Sequence, residues 1–270
     1  MSDIVENEVV DETVESAFEA SLWLSSGNQS FDALLGHGIR RGCVTEVSGP
    51  RGSGKTRLGI LLSCCALRAN SEVIYIDTEC GVTPDRIARA EPTVSSQLHR
   101  IRYFQPCSAA EVLGLAYCLE AKLIDASNVA LLVLDSLASV IRGEFVSTRF
   151  LARLGLLLQK LACTANTAVL VLNHVSLRGQ NALGARQVPS IERIWASSCT
   201  ARIQLLGDDR FIVWKGLRRN QQTRLPTQII PKNVSTDDAI GGRETYCTHS
   251  ANHEDRSLNA SAGTFDADHE

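Results

Sequence analysis

The chain has no apolar run approaching the roughly 20 residues that a bilayer-spanning helix requires, and its first thirty residues carry seven acidic side chains and no basic one. The first absence argues against a membrane span. The second argues against a secretory leader, which opens on basic residues followed by an apolar stretch. Metal-type pairing and a disulfide framework are also missing from the nine cysteines, Cys43, Cys64, Cys65, Cys80, Cys107, Cys118, Cys163, Cys199 and Cys247. They read as buried thiols of a reducing compartment, and the expected location is nuclear or cytosolic. Cys247 lies near His249, His253 and His269, but their irregular spacing in a polar stretch reads as solvated side chains rather than a metal site. There is no internal repeat.

A net charge of -3 conceals a strong segregation along the chain. Residues 234–270 hold eight acids and two bases, so residues 31–233 keep 25 bases against 15 acids, a net of +10. A core that basic is compatible with a polyanionic partner, or with a solvated surface balanced by acidic tails. Residues from Asn233 onward are rich in Ser, Thr, Asp, Asn and Gly, and have too little apolar surface to offset their ordering entropy. The expected organisation is an acidic flexible segment over residues 1–22, one core over 23–233, and a disordered acidic tail over 234–270.

Within that core, apolar branched runs alternate with helical patterns, which predicts a mostly parallel sheet covered on both faces. Strands are expected at Cys43–Ser48, Val73–Asp77, near Arg100–Phe104, at Val129–Leu134 and at Ala168–Leu172. Helices are expected from Thr56, around Pro84–Ala90, from Ser108 to about Ala126 with Glu111 completing a capping box, and from about Ser147 to Thr164. Thr200–Leu206, the turn Gly207-Asp208-Asp209 and Arg210–Lys215 read as an antiparallel hairpin.

The most specific signal is Gly49-Pro50-Arg51-Gly52-Ser53-Gly54-Lys55-Thr56, a full G-x-x-x-x-G-K-[ST] match between a strand and a helix. Glycines 49, 52 and 54 let the backbone wrap phosphates, and the first helical amides point at the anion. Lys55 supplies charge for the terminal phosphates, and the Thr56 hydroxyl suits Mg²⁺. Asp135, at the end of a buried strand, stands where phosphoryl chemistry places a carboxylate that orders Mg²⁺. Glu79, two residues past another strand, could orient and deprotonate an attacking water.

Together with Phe31-Asp32-Ala33-Leu34-Leu35-Gly36-His37-Gly38-Ile39, Thr45-Glu46-Val47-Ser48-Gly49, Tyr75-Ile76-Asp77-Thr78-Glu79, Leu132-Val133-Leu134-Asp135-Ser136 and Val171-Leu172-Asn173-His174, these words resemble the ATPase core of the RecA/RadA recombinase family. More closely the chain resembles a eukaryotic recombinase paralogue, the D-type nearest, because Gly81-Val82-Thr83 follows the second strand and His174 replaces a glutamine usual in recombinases proper. The likeness covers about residues 23–233. It implies a RecA-like P-loop fold with ATP and Mg²⁺, Glu79 as water-activating glutamate, Asp135 as Walker B aspartate, and Arg86 stacked on adenine. Asn173 and His174 fall on the pair that links the γ-phosphate to two DNA-facing loops. The first of these loops, Ala138 to Ser147, holds Arg142 with Arg149 just beyond. The second, Ser176 to Ile194, holds Arg178, Arg186 and Arg193, and arginines on flexible backbone contact phosphates without reading sequence.

Departures from the family pattern are informative too. Fewer than thirty residues precede the core, so the family's amino-terminal helical domain is not expected, and its linker Phe/Ala polymerisation signature is absent at the usual distance. A homopolymer is therefore not expected; the implied partners are other recombinase paralogue subunits, the filament-forming recombinase and single-stranded DNA, with no membrane. The resulting expectation is a slowly hydrolysing, DNA-stimulated ATPase that assists the main recombinase filament in homologous recombination and repair. Two alternatives share the loop: a nucleotide-stabilised, non-hydrolysing interaction subunit, and a small-molecule kinase, for which the sequence offers neither acceptor pocket nor arginine-bearing lid.

Overall fold

In the computed structural model the described residues are 20–143, 147–174, 190–207, 210–215 and 222–224. The acidic first segment up to residue 19, the carboxyl tail, residues 175–189 and the side chains of Arg142 and Arg193 lie outside them.

The main sheet runs in the order β10-β9-β8-β3-β7-β6-β4-β5. Its strands are β3 (Val44–Gly49), β4 (Glu72–Asp77), β5 (Ile101–Phe104), β6 (Val129–Asp135), β7 (Ala168–His174), β8 (Ala201–Gly207), β9 (Arg210–Lys215) and β10 (Gln222–Arg224). From β8 to β5 all pairings are parallel, whereas β9 runs antiparallel to β8 and β10 antiparallel to β9. The expected parallel sheet and carboxyl-terminal hairpin are both present. A separate ribbon, β1 (Trp23–Leu24) with β2 (Ile39–Arg40), brackets helix α1 (Gln29–Leu35).

Strand β6 is apolar from Val129 to Leu134 and every one of its residues is buried, as a strand covered on both faces must be. One layer buries Leu58, Ile60 and Leu62 of α2 (Lys55–Arg68) and Ile87 of α3 (Pro84–Ala90) against Val47, Tyr75, Val133 and Leu172. The other buries Val112 and Leu119 of α4 (Ala109–Glu120), Leu154 and Leu158 of α6 (Thr148–Ala165), and Trp195 of α7 (Ser190–Ser198) against Ile74, Leu132 and Val169.

Local chemistry sets the helix limits. Thr83 caps α3 by accepting from Arg86 N, with Pro84 pre-set for the first turn. Ser108 accepts from Glu111 N at 3.1 Å, but the Glu111 carboxylate takes Cys107 N rather than the cap amide, a variant of the expected box. Helix α4 ends six residues before the expected limit. Lys122 adopts φ 58°, Leu123 N donates to Cys118 O and Lys122 N to Leu119 O, a Schellman turn built without the glycine that would have signalled it.

Two expectations change, those for the first loop and for the cysteines. Residues 137–143 form helix α5 (Leu137–Gly143), so the segment expected to be the first DNA-facing loop begins as a helix. Trp195, on α7, is part of the core at 2% exposed. Among the described cysteines only Cys64 and Cys199 are fully buried, while Cys80, Cys107 and Cys163 are exposed because they sit in turns and at a helix surface. None of the described cysteines forms a disulfide.

Helices α6 and α7 meet at Gly155. A Cβ there would lie 2.0 Å from Ser198 Oγ and 2.5 Å from Ser198 Cβ. Gly155→Ala is expected to lower stability by about 1–3 kcal/mol through overpacking, although alanine is the better helix former. Urea unfolding checks this, and an unchanged midpoint would contradict it.

Candidate functional site

Parallel register brings the singled-out positions to one edge. Gly49 lies opposite His174 in the β3–β7 pairing, and Asp77 lies opposite Asp135 in the β4–β6 pairing, so strands β3, β4, β6 and β7 end together. Carboxyl edges of parallel sheets are where ligands bind, because helix amino termini and loops converge there.

Each glycine of the Gly49–Thr56 loop serves a different physical need. A Cβ on Gly49 would stand 2.6 Å from Ser53 Oγ and 2.8 Å from the Leu205 carbonyl, so that position is closed by packing. Gly52 has open space but φ 77°, and Gly54, with φ 91°, starts α2 with no side-chain cap. The helix's leading amides are thus not taken by a capping side chain. Lys55 is 5% exposed, and its Nζ donates to Gly49 O at 3.0 Å and Pro50 O at 2.8 Å. Ser53 Oγ is buried with no hydrogen-bond partner. An orphaned hydroxyl, a buried ammonium and an uncapped helix start form a cradle whose chemistry fits a polyphosphate.

Thr56 and Asp135 converge beside this loop through a hydrogen bond between their side chains. Burial, the larger influence, pushes the Asp135 carboxyl up from its ordinary range; the Thr56 hydrogen bond opposes the shift and the neighbouring Glu79 charge adds to it. Tyr75 also donates to Asp135 Oδ2, at 3.2 Å. A hydroxyl beside a buried carboxylate is an oxygen donor set suited to Mg²⁺, whose charge would favour the ionised form. No group of three or more His, Cys, Asp or Glu side chains clusters in metal-ligand fashion among the described residues.

Glu79 is held from two directions. Its Oε1 accepts from Ser136 Oγ at 2.6 Å and lies 2.8 Å from His174 Nε2, while its backbone N donates to Asp77 Oδ1. Asn173 and His174 diverge, as neighbours on a strand must. His174 meets Glu79, whereas Asn173 Nδ2 turns to the buried Glu46 at 2.9 Å. Exposed Arg86 lies in the first turn of α3 with its guanidinium on the Gly81 carbonyl. Arg149 is exposed in the first turn of α6, and Arg142 belongs to α5 and Arg193 to α7. Arg178 and Arg186 fall outside the described residues.

The Rad51 family model matches residues 19–211, well over half of the chain. The chain belongs to the Rad51 family. Among its relatives, the DNA repair and recombination protein RadB of Thermococcus kodakarensis is 36% identical over 159 residues, covering 56% of this chain and 70% of that protein. The RadB of Thermococcus sibiricus is 33% identical over 67% of this chain and 79% of its own length. The human DNA repair protein RAD51 homolog 2 is 27% identical over 63% of this chain, which spans only 51% of it. A crystal structure of the RadB recombinase superposes with a TM-score of 0.60 at 27% identity, covering 74% of this chain and 92% of that one. The fold is thus the RecA-like one of this family, and the family membership sets the kinase alternative aside.

Sequence reasoning missed three contacts in this Rad51-family core: Tyr75 and Ser136, which bond the two carboxylates, and Glu46. All three residues stood inside the matching words. A lone charged side chain in the otherwise uncharged, buried strand β3 was the available signal for Glu46.

Proposed function

We propose that the chain is a recombinase paralogue that binds ATP with Mg²⁺, hydrolyses it slowly, engages single-stranded DNA and assists the filament-forming recombinase in homologous recombination and DNA repair. The observation that carries this reading is the meeting of Lys55, Thr56, Asp135 and Glu79 along one sheet edge, with Glu79 joined to His174 at the end of β7. The names of the RadB and RAD51 relatives, each a DNA repair protein, support the biological setting.

In this reading Lys55 and the amides that open α2 bind the phosphates, and Thr56 with Asp135 holds the cation. Bound Mg²⁺ supplies charge neutralisation at the phosphates. Glu79 orients a water and accepts its proton, with Ser136 and His174 fixing the carboxylate's direction. Arg86 stacks on the adenine base, its planar guanidinium suited to that contact. Arg142, Arg149, Arg178, Arg186 and Arg193 contact DNA phosphates. Partners are other paralogue subunits and the main recombinase, in the nucleus.

Salt titration of binding to a labelled oligothymidylate in the presence of Mg²⁺ and ATP tests the DNA part. Several phosphate contacts give a straight log–log decline, with a slope of about -0.7 per contact on a single strand. A flat curve would remove DNA from the reading.

A further inference from the structure

Glu46 is 2% exposed, in the middle of the strand that leads into the Gly49–Thr56 loop. Its Oε1 accepts from Asn173 Nδ2 at 2.9 Å and from Trp195 Nε1 at 3.1 Å, and its Oε2 is paired with Arg202 Nε. The donors come from three elements: the end of β7, helix α7 and strand β8. Beyond Asn173 the connection continues. Asn173 Oδ1 accepts from His174 N at 3.1 Å, His174 Nε2 meets Glu79 Oε1 at 2.8 Å, and Ser136 Oγ donates to the same oxygen. One hydrogen-bonded line therefore crosses the carboxyl edge of the sheet, from Arg202 on β8 to Ser136 after β6.

Burying a carboxylate is costly, and an apolar side chain in such a slot often stabilises a protein equally well or better. What a satisfied buried network adds is a defined geometry. Glu46 fastens two points that flank residues 175–189, Asn173 before them and Trp195 after them, to the strand that carries the nucleotide loop. The Lys55 ammonium bonds the Gly49 and Pro50 carbonyls, which lie beyond Ser48 from Glu46 along the chain.

We propose that Glu46 is a positioning residue that couples nucleotide binding to DNA binding, holding Asn173 so that His174 reaches Glu79 and holding Trp195 so that α7 follows the same strand. This rests on the functional reading above. Glu46 touches neither ligand in it, so its loss should uncouple two sites that each still bind.

The test uses the full chain. Anisotropy of a fluorescein-labelled oligothymidylate gives the DNA Kd with and without a non-hydrolysable ATP analogue and Mg²⁺, and equilibrium dialysis gives the analogue Kd with and without DNA. In the wild-type chain the analogue should tighten DNA about fivefold or more, and DNA should tighten the analogue by the same factor. Glu46→Gln should keep each separate Kd within about twofold while the coupling factor falls to about one. Trp195→Phe removes the indole donor but keeps an aromatic ring, should lower the coupling in the same direction, and carries the test if Glu46→Gln does not fold. An unchanged coupling factor in either folded variant would overturn the proposal, as would parallel loss of both affinities with coupling retained. A wild-type chain that binds both ligands independently would overturn this proposal alone. One that binds no oligonucleotide at any salt would overturn the functional reading and the coupling with it.

Discussion

Replacing Lys55 by alanine is expected to weaken ATP binding about 100-fold, the equivalent of losing a charge-assisted contact of roughly 3 kcal/mol. The structural reason is that this ammonium is the one cation buried in the loop, 5% exposed and already aimed by the carbonyls of Gly49 and Pro50. Removing it also takes the ammonium donor from both carbonyls, Pro50 O keeping only the Ser53 N bond at 3.3 Å, so the unliganded chain should lose some stability of its own. Ligand-induced stabilisation separates the two effects. At about 100 times its Kd, ATP should raise the unfolding free energy of the wild-type chain by about 2.7 kcal/mol, and the same concentration should add little to Lys55→Ala. Equal stabilisation of both proteins would show that the lysine does not grip phosphate. Retention of partner binding and repair by Lys55→Ala would instead favour the interaction-subunit alternative, in which nucleotide chemistry is dispensable.

Glu79→Gln should produce the opposite pattern. ATP affinity should stay within about twofold, whereas turnover should fall about 10²- to 10⁴-fold, the usual contribution of a positioned general base. The substitution keeps the shape and can keep the hydrogen bonds from Ser136 Oγ and His174 Nε2, now made at 2.6 and 2.8 Å, so any loss reports the carboxylate's basicity rather than its packing. Single-turnover hydrolysis with bound ATP measures this directly. Wild-type turnover in Glu79→Gln would take the catalytic role away from that residue.

Much of the framework was legible because buried parallel strands are written as continuous apolar runs. Val129–Leu134 needed only its terminal Asp135 added, and the start of α3 follows from Thr83 and Pro84. Where signals were missing, expectation failed for identifiable reasons. Lys122 in a left-handed conformation ends α4 without a glycine, and α5 grows from a stretch whose helical period is too short to stand out. Site positions that lie on the chain as a contiguous motif were readable, Lys55 and Thr56 above all. Contacts that depend on register between distant strands were not. Glu46 meets Asn173, Trp195 and Arg202 across 127, 149 and 156 residues of sequence, and no local pattern announces such a meeting.

In the proposed reading a divalent cation belongs to the site, held by the Thr56 hydroxyl and the Asp135 carboxylate that the fold brings into hydrogen-bond contact. Equilibrium dialysis of the wild-type chain against radiolabelled ATP therefore tests the central claim most directly. With Mg²⁺ present the chain should bind one ATP per molecule, and chelation of the metal should weaken that binding. Absence of bound ATP at saturating nucleotide and Mg²⁺, in a chain that unfolds cooperatively, would contradict the account.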